Sequence, residues 1–459
     1  MSRAEVGPVL MLIDRVDQML PLANAKSHRA RSDGVRCAPW RAVISSAGSR
    51  QPLLALSVAL TILTCLTARA FGYQEPKPTA LTPDQQAIIA RIGNSARADN
   101  IAYANAPGEV ISNEVNLPFR DGKFITLVRE NSALQSDGSI TWVGAVKETG
   151  ERAVLMVWGN ALLTGYFAYK GTIFSVESLG GGVQVIAELG REQQLQDHPT
   201  PPGPRDSIPE SGELAAPRTP PPEPAVSPFP DTVRQALEAK KITIDIMILY
   251  TPNVAKHYLR DPQDLLALAI EEFNQTLRNS ALGNITLRLV YTQRIDYDAS
   301  KEDQFTQLYT MVDGLGPFKD VRKLRDEKRA DIVGLIIDNP KGCGLSTRVR
   351  PDSDEAFFVV HHACATITMS ITHEIGHILG IRHDRFIDES NEPFSYGHGY
   401  VNDAKWRDIM SYNAGCGGCP RIPYWSNPRV KYKGEPTGTS AADGARVILE
   451  LAERVSKFR

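Results

Sequence analysis

The run His373-Glu374-Ile375-Gly376-His377-Ile378-Leu379-Gly380-Ile381-Arg382-His383-Asp384 decides how this chain is read. Its pattern is H-E-x-x-H-x-x-G-x-x-H-D. Residues four apart stand on one face of a helix, so His373 and His377 lie a turn from each other and can grip one metal ion. Glu374 then projects beside that ion, placed to take a proton from a water bound there. Gly380 admits a backbone conformation that other residues resist, so the helix can end and the chain can swing back. The swing carries His383 to a third ligand position. Three neutral imidazoles leave one tetrahedral position for water, the arrangement of a catalytic rather than a structural zinc site. A bare H-E-x-x-H also turns up on ordinary surface helices; the glycine, the third histidine and the aspartate set this run apart.

The flanks extend the pattern. Ala365 to Thr372 reads as an apolar helical approach, and Asp408-Ile409-Met410-Ser411-Tyr412 follows downstream. Taken together, these residues resemble the metzincin zinc endopeptidases, with Asp408 to Tyr412 standing where their Met-turn stands. Asp384 after the third histidine is similar to the reprolysin or adamalysin branch. Cys419-Pro420-Arg421-Ile422-Pro423-Tyr424-Trp425-Ser426-Asn427-Pro428 more specifically resembles bacterial peptidyl-Asp metallopeptidases. The resemblance covers about the C-terminal half. It implies a twisted mixed sheet, one Zn2+ on His373, His377 and His383, and Glu374 as general base. It also implies that Met410 forms an apolar floor beneath the imidazoles without touching the ion. Some metzincins stabilise the oxyanion with a tyrosine at the place of Tyr412 and the adamalysin branch does not, so Tyr412 stays a candidate. Cleavage beside acidic residues is implied too, and Arg421, Arg382 or Arg385 could supply the basic pocket for it.

The 459 residues suggest two or three domains. A formal charge of −2 argues against nucleic acid or an anionic membrane surface as the main partner, which leaves protein or peptide substrates. Residues 1–51 lean basic, with Arg29, Arg31, Arg36, Arg41 and Arg50. The apolar run Leu53 to Leu66 and the small-residue site Ala68-Arg69-Ala70 read as a signal peptide over 52–70. It lies about 50 residues too deep for such a signal, so translation is expected to start later, at Met11, Met19 or a non-Met codon. The expected location is extracellular or periplasmic, with no stable membrane association after signal removal. The alternative is an uncleaved anchor, for which the run is short. Cys65 raises lipidation, but the residues before it make a poor lipobox.

Residues 71–198 read as a β-rich propeptide. A short helix is expected at 78–94, then strands such as Phe124–Val128, Ile140–Gly144, Arg152–Trp158 and Thr172–Val176 between Gly-marked turns. The alternative is a permanent accessory β module. No Cys lies between Cys65 and Cys343, so a thiolate latch on the metal is absent, and Asp197 or His198 is the candidate in its place. The Pro-rich stretch 199–231 reads as an unpaired linker, with activation cleavage at Arg205 or Arg218.

Residues 232–459 form the expected catalytic domain. Ile242–Tyr250, Ile285–Tyr291, Ile332–Ile337 and Phe357–Val360 read as strands, and Asp264–Leu282 (closed by Gly283), 302–329 and Ala441–Val455 as helices. Gly342 to Thr347 is the expected edge strand over the cleft, able to accept an extended peptide. The fold class is therefore α+β: an antiparallel β prodomain, then a twisted mixed sheet carrying the zinc helix and the Met-turn. An even set of cysteines in an exported chain suggests disulfides, Cys343 with Cys364 and Cys416 with Cys419. Zinc or redox chemistry at the C-x-x-C is the rival for the second pair. His361, His362 and His398 are expected to be structural, and Asp384 to bond locally. Cys416 to Pro428 is expected to wall the pocket beside the scissile bond. The function so implied is a secreted zinc-dependent endopeptidase made as a zymogen. The alternatives are a non-catalytic secreted zinc module that binds extended peptides, and a zinc peptidase for small substrates.

Overall fold

The structure, a computed structural model, describes residues 81–95, 113–189 apart from 120–122, 135–137, 159–161 and 181–182, and 223–459 apart from 259–261, 340, 367 and 404. The expected signal region, Asp197, His198, Arg205 and Arg218 lie outside the described residues.

After the helix α1 (Pro83–Ser95), seven strands follow in sequence: β1 (Glu114–Pro118), β2 (Phe124–Leu134), β3 (Ile140–Val146), β4 (Arg152–Trp158), β5 (Leu162–Tyr169), β6 (Thr172–Gly180) and β7 (Val183–Leu189). They form one antiparallel sheet in which every strand pairs with its sequence neighbour. Alternation of apolar and polar residues makes two faces. One face buries Leu127, Trp142, Leu155, Phe167 and Phe174, the last two as stacked rings 5.1 Å apart. The other face presents Val154, Met156 and Tyr166 and packs on Leu268 of a helix in the C-terminal part.

The helix α2 (Asp231–Glu238) comes next, in a place the sequence assigned to linker and domain start. A five-stranded sheet then builds from β8 (Ile242–Tyr250), β9 (Ile285–Arg294), β10 (Ile332–Ile337), β11 (Gly344–Ser346) and β12 (Phe357–His361), in the order β9-β8-β10-β12-β11. The first four named in that order run parallel, and β11 lies antiparallel at the edge. Helices cover both faces, which is why β10 is buried at every position. On one side Ile244, Ile246 and Ile248 pack under α4 (Gln263–Asn279), α7 (Ser370–Leu379) and α8 (Gly444–Val455). On the other, Met247 and Leu249 pack under α5 (Gln304–Val312) and α6 (Val321–Lys328). The turn α3 (Pro252–Ala255) follows β8 and is capped by Thr251.

Several expected boundaries move. The 302–329 helix is two helices, because Gly314 (φ +66°) and Gly316 (φ +54°) break it. α4 stops at Asn279, and the left-handed residue that ends it is Ala281 (φ +61°) rather than Gly283. α8 starts at Gly444, where the Asp443 carboxylate accepts from the Arg446 N–H, so 441–443 are outside it. The expected helical approach from Ala365 is also absent: α7 begins at Ser370, after Met369 in a left-handed conformation.

Candidate metal centre

α7 has only ten residues, all of them buried. It ends at Gly380, whose φ of +105° reverses the chain and returns His383 toward His373 and His377. The Nε2 atom of His383 comes within 3.3 Å of His373 Nε2 and 3.0 Å of His377 Nε2. Among the described residues these three form the one cluster of His, Cys, Asp and Glu able to hold a metal ion.

The other ring nitrogens explain the arrangement. His373 Nδ1 donates to the Ile409 carbonyl (2.9 Å), and His377 Nδ1 donates to the Ile381 carbonyl (2.8 Å). A carbonyl only accepts, so each Nδ1 carries the proton and each Nε2 presents a lone pair. Lone pairs aimed at one point repel each other, and a cation relieves that repulsion. The donor set is all nitrogen, which suits zinc.

Glu374, buried like the histidines, points to the edge strand. A Cβ at Gly344 would stand 2.6 Å from its Oε1, so a larger residue here would require the Glu374 carboxylate to shift. Met410 lies under α7: a Cβ at Gly376 would be 2.5 Å from its sulfur and 2.8 Å from the Trp425 ring. The Tyr412 ring is 4.3 Å from that of His383.

Asp384 does more than bond locally. Its Oδ1 accepts from Phe386 N–H (3.1 Å), and its Oδ2 accepts from Tyr412 N–H (2.8 Å), tying the third histidine's loop to the 408–412 turn. Burial pushes its carboxyl up to about 6. Asp408, which sequence reasoning passed over, accepts from Ser411 Oγ (2.6 Å) and Ser426 N–H (3.0 Å) and thereby holds that turn. Burial pushes it up to about 7.

Other candidates fall elsewhere. His398 bonds the carbonyls of His383 and Ser390, both at 2.8 Å, and so braces the returning loop. His361 and His362 stack on one another, with His257 stacked on His362, away from the three-histidine cluster. Cys343 is bonded to Cys364 (2.06 Å), joining the approach to β11 with the approach to α7, and Cys416 to Cys419 (2.00 Å). The arginines separate: Arg382 pairs with Asp388 (2.6 Å), Arg385 bonds Asn391 and Ser395, and Arg421 reaches the carbonyls of Thr368 and Ser411 beside the site.

Residues 240–426 match the family model described as Reprolysin_5, metallo-peptidase family M12. Over these residues the chain is similar to metallopeptidase family M12. Relatives with the printed name peptidyl-Asp metalloendopeptidase extend the likeness. The one from Xanthomonas campestris is 29% identical over 433 residues, 90% of this chain and 95% of its own length. One from Stenotrophomonas maltophilia (strain R551-3) is 29% identical over 359 residues, 74% of this chain and 81% of its own. One from Pseudomonas fragi is 41% identical over 98 residues, 21% of this chain and 62% of its own. The metallopeptidase is thus a zinc-dependent endopeptidase, and the clustered imidazoles fit its metal.

Proposed function

We propose that the chain is secreted as a zymogen and, once processed, hydrolyses peptide bonds beside acidic residues, with His373, His377 and His383 holding zinc and Glu374 as general base. The convergence of three Nε2 atoms, with the Glu374 carboxylate between them and the edge strand, carries this reading. A zinc ion held by His373, His377 and His383 would lower the pKa of a bound water toward neutrality and would polarise the scissile carbonyl. Glu374 takes a proton from the attacking water and then passes it to the leaving nitrogen, as the C–O bond forms and the C–N bond breaks. Among the described residues β11 pairs only with β12, so its other edge is where an extended substrate would add as a strand. Met410 serves as the floor of the site, and Tyr412 is a candidate for steadying the oxyanion.

The proposed division is a signal at 52–70 after an N-terminal extension, a propeptide at 71–198, a linker at 199–231 and the catalytic domain at 232–459. The acidic preference is supported by the names of the relatives. The deciding experiment is Glu374→Gln in the processed enzyme, assayed on casein beside a zinc measurement. The reading expects metal retained and hydrolysis lost; undiminished hydrolysis would overturn it.

A further inference from the structure

We propose that Asp408 is a positioning residue for the metal centre, acting on the ion through the turn that aims His373. This rests on the zinc centre proposed above and names a group behind its geometry. The His373 ring is aimed by a backbone oxygen, the Ile409 carbonyl, at 2.9 Å from its Nδ1. Ile409 follows Asp408 directly, so whatever holds the turn at Asp408 also holds the oxygen that aims the ring. Asp408 is 0% exposed, and its carboxyl group joins separate segments. Oδ1 accepts from Ser411 Oγ (2.6 Å), in the turn that carries Met410 and Tyr412. Oδ2 accepts from the Ser426 N–H (3.0 Å), in the segment that bears Trp425. A Cβ at Gly399 would stand 2.9 Å from Oδ1 and 2.7 Å from Ser411 Oγ, so the loop after the third histidine lies close against the same group. The backbone is held as well: Asp408 N–H donates to the Tyr400 carbonyl (3.0 Å), and Ile409 N–H donates to the Tyr424 carbonyl (3.2 Å).

Ser426 is itself tied down. Its Oγ donates to the His398 carbonyl (2.7 Å) and accepts from the Gly444 N–H at the start of α8 (2.8 Å). A chain of contacts therefore runs from α8 through Ser426, Asp408 and the Ile409 carbonyl to the Nδ1–H of His373. Ser411 Oγ and the Ser426 N–H both donate, so the place asks for two acceptor oxygens on one short side chain. Aspartate supplies them, whereas asparagine has one oxygen and would set its NH2 group against a donor. In a buried place that mismatch is not relieved by water. Asp384 ties the same turn at the Tyr412 N–H, three residues further on than the carbonyl that aims His373, so it does not replace Asp408. The bland alternative is a carboxyl group that only stabilises the fold.

The two roles separate in the zinc affinity of the full chain, measured by competition with a chromophoric chelator, beside the melting temperature of the metal-free form. A group that only stabilises the fold lowers the melting temperature and leaves the affinity of the folded molecules unchanged. A group that orients a ligand changes the affinity itself. Asp408→Asn is expected to raise the zinc dissociation constant about 10- to 100-fold. Ser411→Ala, which removes one donor and leaves the carboxyl group in place, guards against a variant that does not fold and is expected to raise it about 3- to 10-fold. A constant within about 2-fold of the parent's in Asp408→Asn, or in Ser411→Ala where Asp408→Asn does not fold, overturns the role of Asp408 and leaves the zinc centre standing. A parent chain that takes up no zinc overturns the centre and this role with it.

Discussion

The two sheets of this chain differ in what they can offer chemistry. The N-terminal one is a meander: each strand pairs with the next, its turns are short, and the strands described carry no histidine or cysteine. The C-terminal one is parallel apart from its edge, so its connections must cross over and are long. Those connections and the segments after β12 hold the three histidines, Glu374, Met410, Tyr412 and Arg421. A meander spends its sequence on its own two faces. A crossover sheet leaves long segments to converge on one place, and a short edge strand stands beside them. The meeting of the two sheets is itself polar. Glu272 of α4, buried, accepts from Tyr166 Oη (2.6 Å) of β5 and faces Arg152 of β4 (3.5 Å).

The contrast can be broken experimentally, and the largest effects belong to the second sheet. His377→Ala should remove the metal and reduce turnover to background, read by elemental analysis and a casein assay; a fully active, metal-bearing variant would dissolve the proposed centre. Glu374→Gln should lower kcat by about 10²- to 10⁴-fold with metal content intact. By contrast, Trp142→Ala should cost the N-terminal sheet about 3–5 kcal/mol and cut the yield of folded chain, while enzyme that is processed keeps its kcat. A matching fall in kcat would show that the sheet belongs to the working site. Gly376→Ala should destabilise by about 1–3 kcal/mol, seen as a lower melting temperature, because Met410 and Trp425 occupy the space of its Cβ.

The smallest effect concerns pH. Burial raises the Glu272 carboxyl to about 7, against the lowering influence of Arg152 and Tyr166. The packed state therefore holds the proton more tightly than the separated one, whose carboxyl titrates near 4.5. The contribution of this group is complete below 4.5, shrinks as pH rises through 7 and is constant above. Melting of the unprocessed chain followed from pH 5 to 8 should show this loss, and Glu272→Gln should flatten it. A slope that survives the substitution would place its origin elsewhere.

Much of the site was legible because helical spacing and a glycine are local signals. His373, His377, His383 and Gly380 needed no knowledge of the rest of the chain. β10 and most of β12 were legible because burial on both faces makes them apolar, and β9 because its apolar and polar residues alternate. What stayed hidden depends on partners far away in sequence. Asp408 is unremarkable until Ser426 is found beside it. Arg421 and Arg382 look alike until one meets carbonyls and the other meets Asp388. Gly344 and Gly376 read as ordinary glycines, and their reason is the side chain opposite each. Boundaries were lost to backbone choices that composition does not announce: Ala281 takes the left-handed place expected for Gly283, and Met369 takes another just before α7. The 231–238 helix was missed because prolines precede it closely.

The bonds from His373 to Ile409 and from His377 to Ile381 have a thermodynamic consequence. Two rings are aimed by the polypeptide itself, so an arriving cation need not freeze them into place. Little entropy remains to be lost on capture, and the affinity of the three histidines for their ion benefits accordingly.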